Sequence, residues 1–286
     1  MSNGRLSVII PARDESRTIF NLVQSLRCAY PSAEIIVVDD GSTDGTGELA
    51  SEAGATVIRH PYPLGNGAAI KAGARESRSE TLVFMDADGQ HSVSDLGTLL
   101  LQYEAGFDLV VGSRSGRIHH SSFGRWIGNS FYNFFASTIT GARIKDLTSG
   151  FRVVNREKFM SILHLLPNKF SYPTTSTIAF VRMGFSVGFV DIEVKRDKEG
   201  SHIRPIRDAI RFFIIIYKVS FLFSPFKVLF PLAVFQVFLG GLLYLPGLFN
   251  GAPVFTNGMA LVLSGGVFTL AVAVLSELIT TLLFKN

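Results

Sequence analysis

Leu82-Val-Phe-Met-Asp-Ala-Asp-Gly-Gln-His91 carries the decision about the fold. A short apolar run, Thr81–Met85, reads as a buried strand and ends abruptly in two carboxylates, Asp86 and Asp88, one residue apart. Two such charges side by side are costly unless a cation neutralises them, and a hard divalent ion bridging to phosphate oxygens does so. Gln90 adds a neutral oxygen ligand at the same spacing. An apolar strand that stops in ligand-type residues is expected in an open parallel sheet, where ligands bind beyond the carboxyl ends of the strands.

Two earlier strands end the same way. Val8-Ile-Ile-Pro-Ala-Arg-Asp-Glu15 and Ile36-Val-Val-Asp-Asp-Gly-Ser-Thr-Asp44 each pass from β-branched residues into a polar turn. The Val/Ile-rich runs Leu6–Ile10, Glu34–Asp39, Thr56–Arg59, Thr81–Met85 and Leu109–Gly112 read as strands. Between them, Glu15–Cys28, Gly45–Ala53, Ala68–Ser77 and Ser94–Tyr103 carry helical patterning. Strand and helix in alternation predict a mostly parallel, Rossmann-like α/β sheet covered on both faces.

The rest of the chain has another character. Of the 286 residues 47% are hydrophobic and only 17% charged, against about 25% in ordinary soluble domains. Residues 1–203 hold 21 Lys/Arg and 21 Asp/Glu, so the net charge of +4 belongs to residues 204–286. There Arg204, Arg207, Arg211, Lys218, Lys227 and Lys285 flank apolar segments, which points to a membrane surface and away from nucleic acid. Val228–Phe249 contains one polar side chain, Gln236, and Met259–Leu275 is broken only by Ser264 and Thr269. Both segments are long enough to cross a bilayer. The expected organisation is an α/β domain over 1–203, a juxtamembrane amphipathic helix over 204–224, and two spans (about 228–249 and 259–284) within 225–286. Lys227 and Lys285 bracket the spans while the loop Asn250–Asn257 is uncharged, which predicts that both termini and the N-terminal domain are cytoplasmic. The polar opening Met1-Ser-Asn-Gly-Arg5 predicts no secretory leader, and the single cysteine, Cys28, excludes an internal disulfide.

These motifs resemble those of the family 2 glycosyltransferases of the GT-A fold over about residues 5–203. More closely, they resemble the polyprenyl-phosphate glycosyltransferases, the group that contains dolichyl-phosphate mannosyltransferase. The resemblance implies that Pro11, Arg13 and Glu15 hold the nucleotide and that Asp39 and Asp40 read base and ribose. It implies that Asp86 and Asp88, with Ala87 between them, form the Asp-x-Asp motif, which with Gln90 binds Mg²⁺ or Mn²⁺ on the donor diphosphate. Arg114, in Val111-Gly-Ser-Arg114, is implied to face the acceptor phosphate, with Arg125 and Asn129 beside it. Asp146-Leu-Thr-Ser-Gly-Phe-Arg152 then borders the sugar pocket through Asp146, Ser149 and Arg152. Arg196 and His202 fall in a loop over the donor; His202 stands where the family often has lysine.

The expected reaction is inverting transfer of a hexose from GDP-mannose, UDP-glucose or UDP-N-acetylglucosamine to a dolichyl or undecaprenyl phosphate. Asp88, Arg114 and Arg125 are its expected catalytic residues. A phosphate monoester is already anionic at neutral pH, so no general base is required. Converging arginines suit its oxygens.

Other readings compete. Gly65-Asn-Gly-Ala-Ala-Ile-Lys71 lacks Walker spacing and reads as a helix N-terminus lining the donor site, with Lys71 nearby. His119-His120 reads as a loop, Cys28 as buried and inert, and Asp146 as a pocket residue or a cap. A GT-A transferase acting on a sugar or protein hydroxyl would need an essential base. A non-catalytic scaffold or flippase subunit would lose metal and nucleotide binding. The spans also leave Gly and Phe surfaces through which copies could form a homo-oligomer.

Overall fold

The computed structural model describes residues 6–114, 133, 137, 141–169, 171–192, 214, 217, 218, 220–249 and 255–283. It divides into two compact units, Met1–Arg211 and Phe212–Asn286.

The first unit begins β1 (Leu6–Ala12), α1 (Ile19–Ala29), β2 (Glu34–Asp39), α2 (Thr46–Glu52), β3 (Thr56–Arg59), α3 (Asn66–Glu76), β4 (Thr81–Phe84), α4 (Val93–Glu104) and β5 (Leu109–Arg114). After it come β6 (Arg152–Asn155), α5 (Arg156–Ser161), a 3₁₀ turn (Leu163–Leu165), α6 (Tyr172–Arg182) and β7 (Val187–Ile192). Seven strands form one sheet in the order β3-β2-β1-β4-β6-β5-β7, parallel except for β6, which runs antiparallel to both neighbours. The expected mostly parallel sheet is present, and β6 and β7 add to the strands read from the sequence.

The period of two along each strand sorts the core into two layers. Val8, Ile10, Ile35 and Val37 join one buried cluster with Leu22, Val23 and Leu26 of α1 and Leu96 and Leu99 of α4. Ile9 and Val38 meet α3 on the other face, where Gly73 allows an approach that a Cβ would block at 2.4 Å from Ile9. Phe84 packs there on Phe159 and Tyr172, with ring centroids 4.8 and 6.2 Å away.

The register explains where the polar residues gather. Ala12 pairs with Asp39 on one side of β1, and Ile9 pairs with Phe84 on the other. The turns after β1, β2 and β4 therefore leave the sheet at one edge. The chain first moves outward from β1 to β3 and then returns to β4, so the switch in strand order lies beside β1. Antiparallel β6 pairs Arg152 with both Phe84 and Val111, which carries the preceding segment, residues 146–151, to that same edge.

In the second unit Ile214, Tyr217, Lys218 and residues 220–223 are helical, and Tyr217 stacks on Phe221. Two long apolar helices follow, α7 (Pro225–Phe249) and α8 (Asn257–Leu283), each able to cross a membrane by length and composition. They pack closely because Gly240 faces Leu263 and Gly266 faces Val237 and the Ala233 carbonyl, contacts of 2.6–3.2 Å for a Cβ. Thr269 donates to Gln236 Oε1 across the pair at 2.9 Å. Glu277 accepts from the Phe226 amide at 3.2 Å and so caps the start of α7. Cys28, expected to be buried, is exposed: it lies about 200° around α1 from Leu26, at ~100° per residue, on the face turned from the core.

Candidate active site

Three loops at the carboxyl edge are tied together by short polar contacts. Asp14 takes a left-handed backbone conformation, φ 55°, and its amide donates to Ser42 Oγ at 3.0 Å while its carboxylate accepts from Thr43 N at 2.9 Å. Glu15 N donates to Thr46 Oγ1 and Ser16 N to Asp44 Oδ2, at 2.8 and 3.0 Å. Thr18 Oγ1 donates to the Ala87 carbonyl at 2.7 Å, joining the β1 turn to the Asp-Ala-Asp segment. Residues 13–18, 40–46 and 86–91 thus form one polar platform.

On that platform Arg13 is exposed and lies 3.7 Å from Asp14, and Pro11 and Glu15 are half-buried. Asp39 is buried, accepts from Ser42 N at 2.8 Å and faces Arg59 at 3.8 Å. Asp40 is turned inward. Its oxygens take the Leu64 and Gly65 amides, each at 2.8 Å, and His60 Nδ1 at 2.7 Å. Burial alone would raise this carboxyl, but His60 and the two amides outweigh it and hold it below its ordinary value. Asp40, expected to read base or ribose, spends its acceptors on the 60–65 loop.

Lys71 also departs from expectation. It donates to the Leu166 carbonyl at 3.0 Å and to Asn168 Oδ1, and Ala68 N bonds the Asn168 carbonyl at 2.8 Å. The Gly65-Asn-Gly67 pattern reflects this close approach, since a Cβ on Gly67 would lie 2.0 Å from the Pro167 oxygen. The N-terminus of α3 is covered by residues 167–169, and burial, then Arg75, lowers the Lys71 pKa.

Asp86 is half-exposed and Asp88 exposed, with Ala87 buried between them; Asp88 accepts from Gln90 N at 3.0 Å. Gly150 comes so close that a Cβ there would lie 2.6 Å from Asp86 Oδ2. His91, which the sequence reading did not single out, is buried, stacks on Phe151 and places Nε2 3.9 Å from Asp86 Oδ2. Among the described residues no three His, Cys, Asp or Glu side chains form a metal cluster. Two carboxylates and the Gln90 amide nonetheless suit Mg²⁺ or Mn²⁺, because such ions are usually held by one or two carboxylates together with substrate phosphates.

At the end of β5, Arg114 Nε and Nη2 donate to the two Asp146 oxygens at 2.9 and 3.2 Å, and Nη2 to Thr148 Oγ1 at 2.5 Å. Burial opposes the charge on both groups. Each nevertheless stays more firmly ionised than usual because of the other, the Arg114 pKa raised and the Asp146 pKa lowered. Ser149 is buried, and its Oγ has no hydrogen-bond partner among the described residues.

Arg152, expected in the sugar pocket, has no exposed surface. It donates to the Ser149 carbonyl at 2.9 and 2.6 Å, to the Pro173 carbonyl at 3.0 Å, and to Ser176 and Thr177. It braces the 146–152 segment from below. Arg125, Asn129, Arg196, His202 and the His119-His120 pair lie outside the described residues.

A mixed, mostly parallel sheet whose β1, β2 and β4 ends meet in carboxylates is the GT-A form of the α/β fold. Residues 7–163 match the profile of glycosyl transferase family 2, and the chain belongs to that family. Residues 224–282 match a second profile, the GtrB C-terminal hairpin. The chain is 35% identical over 203 residues to polyprenol monophosphomannose synthase of Mycolicibacterium smegmatis, covering 66% of this chain and 76% of that protein. It is 29% identical over 212 residues to undecaprenyl-phosphate mannosyltransferase of Micrococcus luteus, covering 68% and 87%. Among solved structures, glucosyl-3-phosphoglycerate synthase of Mycobacterium tuberculosis with UDP superposes with a TM-score of 0.60 at 21% identity, covering 77% and 81%. The same enzyme has been solved with Mn²⁺, UDP and glucosyl-3-phosphoglycerate.

Proposed function

We propose that this glycosyltransferase moves a hexose from a nucleotide sugar to a polyprenyl phosphate, with inversion, at the cytoplasmic face of a membrane. The carrying observation is that one edge of the sheet brings together the β1 and β2 turns, the Asp86–Asp88 carboxylates and Arg114. The names of the two mannosyltransferase relatives and the match to the GtrB hairpin support a lipid-phosphate acceptor. GDP-mannose, UDP-glucose and UDP-N-acetylglucosamine are the candidate donors, and dolichyl or undecaprenyl phosphate the acceptors.

Pro11, Arg13, Glu15 and Asp39 would seat the nucleoside, with Asp40 and Lys71 holding the loops around it. Asp86, Asp88 and Gln90 would hold a Mg²⁺ or Mn²⁺ ion. When bound, that ion supplies charge neutralisation for the departing diphosphate. Arg114, with Arg125 and Asn129, would orient the acceptor phosphate, which carries its own negative charge and attacks from the face opposite the leaving group. Arg196 and His202 would close over the donor. The apolar helices α7 and α8 would keep the lipid in the bilayer, with the basic residues around them on the cytoplasmic side.

The test is Asp88→Ala. Its side chain is exposed and accepts from the Gln90 amide in the local turn, so the variant should fold and lose metal-dependent transfer. Near-wild-type transfer by the folded variant would refute the proposal.

A further inference from the structure

Asp146 was expected from the resemblance to border the sugar pocket, but its carboxylate has little capacity left for a sugar hydroxyl. Oδ1 accepts from Arg114 Nη2 at 3.2 Å, from the Thr148 amide and hydroxyl at 3.0 and 3.1 Å, and from the Ser149 amide at 3.1 Å. Oδ2 accepts from Arg114 Nε at 2.9 Å and the Arg114 amide at 3.3 Å. A carboxylate offers about four lone-pair sites, so this one is saturated. Its side chain is only 10% exposed, whereas that of Arg114 is 37% exposed. The exposed member of the pair is therefore the arginine.

The fold explains why the two meet. Arg114 ends β5, Arg152 begins β6, and the antiparallel pairing of these strands carries residues 146–149 back beside Arg114. Arg152 holds the Ser149 carbonyl with two donors, which anchors the far end of the same turn. Two of the guanidinium nitrogens, Nε and Nη2, are engaged by Asp146 and Thr148. The Nη1 edge is the part left for a ligand among the described contacts. A guanidinium normally samples many rotamers, and fixing one before binding lowers the entropic cost of gripping an anion.

We propose that Asp146 is a positioning residue for the acceptor: with Thr148 it locks Arg114 so that one guanidinium edge is presented to the acceptor phosphate. The inference rests on the reading of Arg114 as an acceptor-phosphate ligand. Asp146 touches neither the sugar nor the reacting atoms. Its removal should weaken acceptor capture and leave sugar choice alone.

The test uses the full chain in detergent, with donor and polyprenyl phosphate varied separately. Asp146→Asn should raise the acceptor KM about tenfold or more, leave the donor KM within about twofold, and leave the ranking of sugars unchanged. Thr148→Val removes the hydroxyl's contacts with Arg114 Nη2 and Asp146 Oδ1 but keeps the carboxylate–guanidinium pair, and should raise the acceptor KM by a smaller factor, about threefold. It also serves should Asp146→Asn fail to fold. In an Arg114→Lys background Asp146→Asn should cost little more, because the fork it orients is already gone. A raised donor KM or altered sugar ranking in Asp146→Asn, with the acceptor KM unmoved, would overturn the inference and make Asp146 a sugar contact. An unmoved acceptor KM in folded Thr148→Val and additive losses in the double variant would do the same. Failure of the wild type to use any polyprenyl phosphate would instead sink the proposed function, so the two failures are distinguishable.

Discussion

Gly150→Ala turns the close approach of Gly150 to the Asp86 carboxylate into an experiment. A Cβ at this position would lie 2.6 Å from Asp86 Oδ2, 3.0 Å from Oδ1 and 3.1 Å from Cγ. An unstrained carbon–oxygen contact needs roughly 3.4 Å, so the carboxylate must withdraw by about 0.8 Å. Gly150 is outside the left-handed backbone region, so alanine meets no conformational penalty of its own there. Asp86 is half-exposed and its side chain can yield, at about 0.5–1.5 kcal/mol for an off-rotamer angle. The melting temperature should therefore fall by about 1–6 °C. Activity should suffer far more, because a misplacement near 1 Å at a reacting centre can cost about 100-fold. The assay pairs thermal melting with transfer rate, and with Mn²⁺ binding followed by electron paramagnetic resonance. Folded Gly150→Ala with wild-type activity and Mn²⁺ affinity would refute the placement of Asp86 at the centre of the chemistry.

Asp40→Asn should raise the donor KM and lower stability by about 1–3 kcal/mol, since His60 and two amides lose their carboxylate. The Asp40 carboxyl is held below its ordinary value, so its contribution is fully present above the unfolded pKa near 3.9 and is lost as pH falls through the folded value. Melting curves against pH should show wild type and variant separated at neutral pH and converging in acid below about pH 4; separation that grows in acid would contradict this. Arg152→Lys should destabilise the first unit by about 3 kcal/mol, because an ammonium cannot reach Ser149, Pro173, Ser176 and Thr177 together. A denaturation midpoint equal to wild type would show the network to be dispensable. Glu277→Ala should free the start of α7, at about 1 kcal/mol, with faster amide exchange at Phe226 as its readout.

The parts of this architecture that can be read from sequence are those set by local pattern. β1, β2 and β4 announce themselves because runs of Val and Ile stop in polar turns, and α7 and α8 because charge is absent from long apolar stretches. β6 is four residues long and is a strand only because β4 and β5 offer it edges on both sides, a tertiary fact with no local signal. β7 is diluted by Gly188 and Asp191. Within the site, adjacent Asp39 and Asp40 look equivalent, yet the partners that turn Asp40 inward lie 20–25 residues away. Arg152 resembles a ligand-binding arginine until its complete burial is seen. Cys28 could have been placed correctly, since helical periodicity sets it opposite Leu22 and Leu26.

The most direct measurement is made on the purified chain in detergent with Mg²⁺ or Mn²⁺, a polyprenyl phosphate and a panel of nucleotide sugars, with the lipid fraction read by mass spectrometry. One donor should give a lipid phosphate heavier by a single hexose unit, and Asp88→Ala should give none. Donor hydrolysis or binding without any glycosylated lipid would contradict the lipid-phosphate acceptor. Absence of nucleotide-sugar binding altogether would contradict the catalytic reading of the site.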